Sequence, residues 1–196
     1  VLYICSRPCE EPEVLREEKW IPFVVKDTGG AYLRVSAESH MSRLNLPQED
    51  NQKWGVSREH KSGVNSLPQM LQEAWYALWA RFSYSGSEKV GEIQFYLCKN
   101  MNEEFSLKSV AEKYHFSEPY FCTLFKKGTG MSVIHFVQHV RIHYGTYLIR
   151  SSEKKLQEIA EEVGFENYSY FGKLFKRYVG QTPEAYREGS EGKLGI

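Results

Sequence analysis

The sequence predicts a mainly α protein: a C-terminal all-α domain of two helix-turn-helix units joined by a long helix, preceded by a small α+β N-terminal region. Three observations carry that prediction. The stretch from Leu156 to Arg187 repeats an earlier one that begins at Leu107. Each copy has helical apolar spacing, a break, and a second helical run. Residues 1–86, by contrast, hold short apolar runs set apart by turn residues, and then a single helical pattern.

In chain order, Val1–Cys5 and Ile21–Val25 read as strands, Thr28-Gly29-Gly30 as a turn and Ala31–Val35 as a third strand. Residues 36–52 are polar and read as loop. Trp54–Ser57 is a short strand, followed by the turn-rich REHKSGVNS. From Leu67 the spacing turns helical, with Leu67, Leu71, Ala74, Trp75, Leu78 and Phe82 on one face. The aromatics Trp75, Tyr76, Trp79, Phe82 and Tyr84 admit two readings, core packing or a surface for a ligand or a second subunit. Core packing is the more ordinary. Gly86-Ser87 marks the boundary, which gives a region 1–86, a domain 87–189 and a tail 190–196.

Val90–Cys98, with Ile93, Tyr96 and Leu97 apolar, opens the domain as a helix. The repeat then begins. Leu107, Val110, Ala111 and Tyr114 recur as Leu156, Ile159, Ala160 and Val163, at the i, i+3, i+4, i+7 positions of a buried helix face. His115-Phe116-Ser117 and Gly164-Phe165-Glu166 form the turns, and Gly164 suits the left-handed position of a helix end. Ser117 is placed to cap the next helix, with Pro119 tolerated near its start. The second helices bury Phe121, Leu124 and Phe125, or Phe171, Leu174 and Phe175. Between the copies Met131–Ile149 runs without proline, a helix of roughly 28 Å at 1.5 Å per residue. Ser132 and Thr182 read as helix caps, with Pro183 at a first helical position.

Two short helices joined by such a turn have the geometry that lays the second helix in a DNA major groove. Base contact then falls to residues near the start of each second helix, away from the buried phenylalanines. In the first unit these are Glu118, Pro119, Cys122 and Thr123; in the second, Asn167, Tyr168, Ser169, Gly172 and Lys173. Lys173 can donate to guanine and Asn167 can pair with an adenine edge, while Thr123 suits a thymine methyl and Glu118 a cytosine amine. Asn167 has an equal claim as a helix cap. Lys126, Lys127, Lys176 and Arg177 fall at the far ends of these helices as candidate phosphate contacts, or else as solvated helix ends that suit the dipole. Major-groove faces recur about every 34 Å along B-DNA. A rod of this length lets one monomer read two adjacent segments of one double-stranded DNA.

These residues carry a resemblance. GFENYSYFGKLFKRYVGQTPEAYR is similar to the C-terminal signature of the AraC/XylS family of bacterial transcription regulators, and FKKGTGMSVIHFVQHVRI resembles its first-unit counterpart. The resemblance covers residues 90–188 and implies a DNA-binding domain that regulates transcription. It favours Pro119, Cys122 and Thr123, then Tyr168, Ser169 and Lys173, as base readers. It also implies RNA polymerase as a partner if the protein activates, and a homodimer formed through the N-terminal region. Gly145 and Thr146 stand where the family has Ala and Lys, and Lys173 where it commonly has Arg. More weakly, WGVSREHKSGVNSLPQMLQEAWYALWARF resembles the middle region of YesN-type response regulators, itself related to nucleotide cyclases. That likeness implies an upstream receiver domain, which these residues do not include. Val1 in place of Met leads us to expect a fragment or a processed chain.

Bulk properties narrow the field. Twenty-five basic residues balance twenty-five acidic ones, so any attraction to phosphate must come from a local basic face. No apolar run reaches membrane-spanning length, and no signal peptide is visible. The four cysteines include Cys98 and Cys122 in apolar helical patterns, as in a reduced cytoplasmic protein. Cys5-x3-Cys9 is half a zinc site at most, because zinc wants a second close pair. His135, His139 and His143 recur at i, i+4, i+8 with no glutamate of a zinc hydrolase among them, and read as exposed. No cofactor is called for. An enzyme of the cyclase or methyl-transfer kind needs an acid pair after a Gly-Gly turn or an activated cysteine, and neither pattern is present. The remaining rival is an interaction adaptor that has lost DNA binding.

Overall fold

The computed structural model describes residues 2–5, 20–25, 29–34, 54–58, 67–82 and 84–191. The expectations for Cys9, for the loop 36–52, for the turn 59–66 and for the last five residues lie outside them. The chain divides into two compact bodies, Val1–Tyr84 and Ser85–Ile196.

In the first body, strands β1 (Leu2–Cys5), β2 (Trp20–Val25), β3 (Gly29–Arg34) and β4 (Trp54–Val56) form one sheet in the order β2-β3-β1-β4. Every neighbouring pair is antiparallel. Pro22 sits in β2, an edge strand, where its missing N–H is tolerated. Gly29 and Gly30 are not turn residues as expected. They pair with Val25 and Val24, so the ladder runs on through both glycines.

Helix α1 (Leu67–Ala80) also departs from expectation. Its buried residues include Met70, Glu73, Ala74, Ala77 and Leu78, while Leu71 and Trp75 are half-buried. The buried face is therefore rotated toward a carboxylate that apolar spacing cannot register. Glu73 is fully buried. It accepts from Arg58 Nε at 3.0 Å and Nη2 at 2.7 Å, from the Arg58 backbone N–H at 2.8 Å and from Gln69 Nε2 at 3.0 Å. A charge taken out of water needs this many partners. The result ties the residue pair after β4 to the middle of α1.

The second body is all helical: α2 (Glu88–Lys99), α3 (Leu107–Lys113), α4 (Glu118–Thr129), α5 (Val133–Ser151), α6 (Leu156–Glu162), α7 (Tyr168–Val179) and α8 (Pro183–Glu191). Side-chain oxygens close the first turns. Ser106 accepts from Ser109 N at 3.3 Å, Ser132 from His135 N at 3.3 Å and Thr182 from Ala185 N at 3.3 Å. Ser117 stands at the N-cap of α4 but makes no capping hydrogen bond. Both α4 and α7 end on a left-handed glycine, Gly130 (φ 79°) and Gly180 (φ 89°), each with its N–H on the carbonyl of Lys126 or Lys176.

The duplication survives as geometry. Phe121, Phe125, Phe171 and Phe175 are all fully buried. Phe125 meets Phe136 edge-on at 5.4 Å, and Phe175 meets Tyr186 edge-on at 5.6 Å. Leu124 differs from its counterpart: it is only half-buried, whereas Leu174 is buried. Helix α5 spans 19 residues, about 28 Å, and serves both cores. Its C-terminal half gives Ile142, Leu148 and Ile149 to the second core, while Phe136 packs on the first. Because the buried stripe changes sides along α5, His143 is buried rather than exposed as expected, its ring 4.3 Å from that of His139. Among the described residues no helix is long and apolar enough to cross a membrane.

Candidate nucleic-acid interface

The second helix of each unit turns one stripe inward and one outward. On α7 the inward residues Phe171, Leu174 and Phe175 are buried. Ser169, Lys173, Lys176 and Arg177 are exposed, and at i, i+4, i+7 and i+8 they share the opposite face. On α4 the same register gives Pro119, Thr123, Lys126 and Lys127, all exposed. Each helix thus presents a polar N-terminal half and a cationic C-terminal end in a single line. Glu118 is exposed at the head of α4, and Cys122 is half-buried beside the stripe. Thr123 Oγ1 donates to the Pro119 carbonyl at 2.9 Å, which occupies its proton and leaves an oxygen to accept.

Two of the expected base readers are engaged elsewhere. Asn167 caps α7, its Oδ1 accepting from Tyr170 N at 3.0 Å. A bidentate adenine contact needs that same oxygen, so only the Asn167 amide nitrogen is left for a base. Tyr168 is half-buried against the second core, and its hydroxyl donates to Glu184 of α8. Burial first, and then that hydrogen bond, push the Tyr168 phenol up to about 12. The same bond holds the Glu184 carboxyl below its usual range. Tyr168 therefore ties α7 to α8, its hydroxyl proton committed to Glu184. Gly172 has open space where a Cβ would stand, so a ligand can approach the backbone there.

The geometry also supplies residues that periodicity did not single out. Tyr120 and Tyr170 occupy the same register on α4 and α7 and are 55% and 48% exposed. Each lies against the phenylalanine of its own turn, Tyr120 on Phe116 at 5.1 Å and Tyr170 on Phe165 at 6.0 Å. Gln138 of α5 donates to the Tyr170 hydroxyl at 2.9 Å. The repeat itself was the available signal, since Tyr precedes the first buried Phe in both copies.

Arg141 of α5 donates to three backbone carbonyls: Nε to Met101 at 2.6 Å, Nη1 to Gly164 at 2.7 Å and Nη2 to Glu103 at 2.7 Å. Its guanidinium lies 5.7 Å from the Phe165 ring, and burial lowers its pKa from the ordinary arginine value. The contacts join the loop before α3 to the turn between α6 and α7. Above Arg141 lies a groove of about 830 Å³ lined by Ile134, Gln138, Asn167, Ser169 and Lys173, with Glu103, Glu104, Glu161 and Glu166 around it.

Among the described residues, no group of three or more His, Cys, Asp or Glu is arranged to hold a metal ion. Cys98 is fully buried and desolvation raises its thiol well above the ordinary value, so it is held as an unreactive thiol.

A family model described as a helix-turn-helix domain matches residues 110–189. The chain is 36% identical over 105 residues to the bifunctional transcriptional activator/DNA repair enzyme AdaA of Bacillus subtilis, a match covering 54% of this chain and 50% of AdaA. It is 32% identical over 101 residues to the HTH-type transcriptional activator RhaR of Yersinia pseudotuberculosis, covering 52% of this chain and 35% of RhaR. The chain thus spans half or less of these relatives. Among solved structures, the C-terminal domain of AraT, a response regulator from Geobacillus stearothermophilus, superposes with a TM-score of 0.51 at 33% identity. That match covers 53% of this chain and 86% of the AraT domain. The matched family segment begins beyond residues 54–82, where the middle-region resemblance lies.

Proposed function

We propose that the C-terminal half of this chain is an AraC-type helix-turn-helix DNA-binding domain, and that the chain regulates transcription by setting α4 and α7 into adjacent major-groove segments of one duplex. The observation that carries the proposal is the duplicated outward stripe, polar first and cationic last, in one register on both helices. Two such stripes on a body held by one rod and one half-buried arginine supply local positive charge that a neutral chain otherwise lacks.

In this reading Ser169 and Lys173 lead base recognition in the second segment, Lys173 on guanine O6 or N7. Asn167 adds its amide nitrogen, and Tyr168 acts by holding α7 in place. In the first segment Pro119, Thr123 and Cys122 meet the groove floor, with Glu118 accepting from a cytosine amine. Lys126, Lys127, Lys176 and Arg177 neutralise phosphates. In the same reading the N-terminal region is the seat of regulation or of dimer formation, and an activator of this kind would meet RNA polymerase.

One relative, AdaA, is named as a DNA repair enzyme as well as an activator. We read this chain as a binder, since its matched half is the helix-turn-helix half and Cys98 is sealed from reagents. The adaptor reading draws on the neutral net charge and the carboxylates around the groove. Titration of the full chain against duplexes selected from a random library decides between them. Salt-dependent, sequence-selective binding supports the regulator; equal indifference to all duplexes at low salt supports the adaptor.

A further inference from the structure

Ile134, Gln138 and Arg141 follow one another at i, i+4 and i+7 on α5, and all three line the groove between the loop before α3 and the second unit. Arg141 holds the loop before α3 and the turn before α7 through backbone carbonyls. Gln138 does the complementary thing. Its Nε2 reaches across the groove to the hydroxyl of Tyr170, on the recognition helix itself, at 2.9 Å.

Tyr170 is well placed to transmit that hold. It follows Ser169 directly and precedes Lys173 by three residues, so it flanks the outward stripe. Its ring rests on Phe165 of the turn, and its backbone N–H is the one that Asn167 caps. A rigid phenol fixed at the base, at the ring and at the hydroxyl resists rotation of α7 about its own axis. The hydroxyl is the lever arm farthest from that axis, and Gln138 holds it against the connecting rod.

We propose that Gln138 is a positioning residue for DNA reading: through Tyr170 it sets the angle of α7 relative to α5, and with it the spacing at which the two units read one duplex. This rests on the regulator reading above. A single net hydrogen bond is modest, yet a change of angle in α7 moves Lys173 off its base, so the effect appears in register more than in affinity.

The test uses the full chain and a selected duplex, with derivatives in which one base pair is added or removed between the two contacted segments. Wild-type protein should prefer the selected spacing by about tenfold or more. Gln138→Leu keeps the side-chain bulk but not the donor. It should weaken binding at the selected spacing by about three- to tenfold and bring the three spacings close to equality. Tyr170→Phe should do the same, and the double variant should add nothing further. Melting temperatures should stay near wild type, because the bond is partly exposed. Unchanged spacing preference in both single variants overturns the proposal. So does an equal loss at all three spacings, which marks a structural contact only. If wild-type protein shows no salt-dependent binding to any duplex, the regulator reading falls and this inference falls with it.

Discussion

Arg141 Nη1 donates to the Gly164 carbonyl at 2.7 Å, and a Cβ built on Gly164 would stand 2.8 Å from Cζ of the same arginine. The residue that receives the hydrogen bond must therefore lack a side chain. Its φ of 89° adds a second requirement for glycine. Gly164→Ala should cost about 3 kcal/mol or more, through left-handed strain combined with displacement of Arg141. His115, at the same place in the first unit, holds φ 58° with a side chain. His115→Gly should change stability by no more than about 1 kcal/mol. Urea unfolding of the two variants checks the contrast.

Two helical glycines, Gly145 of α5 and Gly172 of α7, give opposite signs for one substitution. A Cβ on Gly145 would lie 3.2 Å from Phe171 Cε2, and Phe171 is fully buried among aromatic neighbours that leave it little room to retreat. A Cβ on Gly172 would meet nothing within 4 Å. Gly172→Ala should stabilise by about 0.5–1 kcal/mol through helix propensity. Gly145→Ala should fail to gain this, and should lower the melting temperature because overpacking costs about 1–3 kcal/mol.

Much of the architecture was legible beforehand because a buried helix face repeats in sequence, and here it repeats twice. Val110 and Ile159, or Phe125 and Phe175, announce themselves by spacing alone. What escaped depends on partners distant along the chain. Arg141 finds carbonyls at Met101 and Gly164, Tyr168 finds Glu184 and Gln138 finds Tyr170. Periodicity records which face is apolar and is silent on which polar atom meets which. The His143 reading failed for a related reason, because α5 changes its buried face between two cores. The Asn167 cap was one of two open readings, and only the position of Tyr170 N decides between them.

Tyr168 and Glu184 make a pH-dependent tie. The phenol is raised from 10 to about 12 in the folded chain, so its contribution to stability is complete below pH 10 and is lost as pH rises toward 12. Glu184 is lowered, so its contribution is present above its unfolded pKa and fades as pH falls through the folded one. Because Glu184 is exposed, the tie contributes at most about 1 kcal/mol. Tyr168→Phe should lower stability by about that amount near neutral pH. It should also flatten the part of the decline between pH 10 and 12 that this phenol contributes, as read by thermal melts across that range.

Lys173 and Lys126 should separate reading from holding. Lys173→Ala should cost about 1–3 kcal/mol on the selected duplex and relax preference at one position. Lys126→Ala should weaken all duplexes alike and reduce the salt slope by about one. Equilibrium titrations at several salt concentrations against matched and mismatched duplexes read both quantities.

The most direct test of two helices reading one duplex is a hydroxyl-radical footprint of the full chain on a selected site, at a stoichiometry of one protein per duplex. The account predicts two protected patches on the same side of the DNA, about one helical turn apart, with alanine at Lys173 clearing one patch and alanine at Thr123 and Lys126 clearing the other. A single patch under those conditions, or two that vanish together with either set of substitutions, would contradict it.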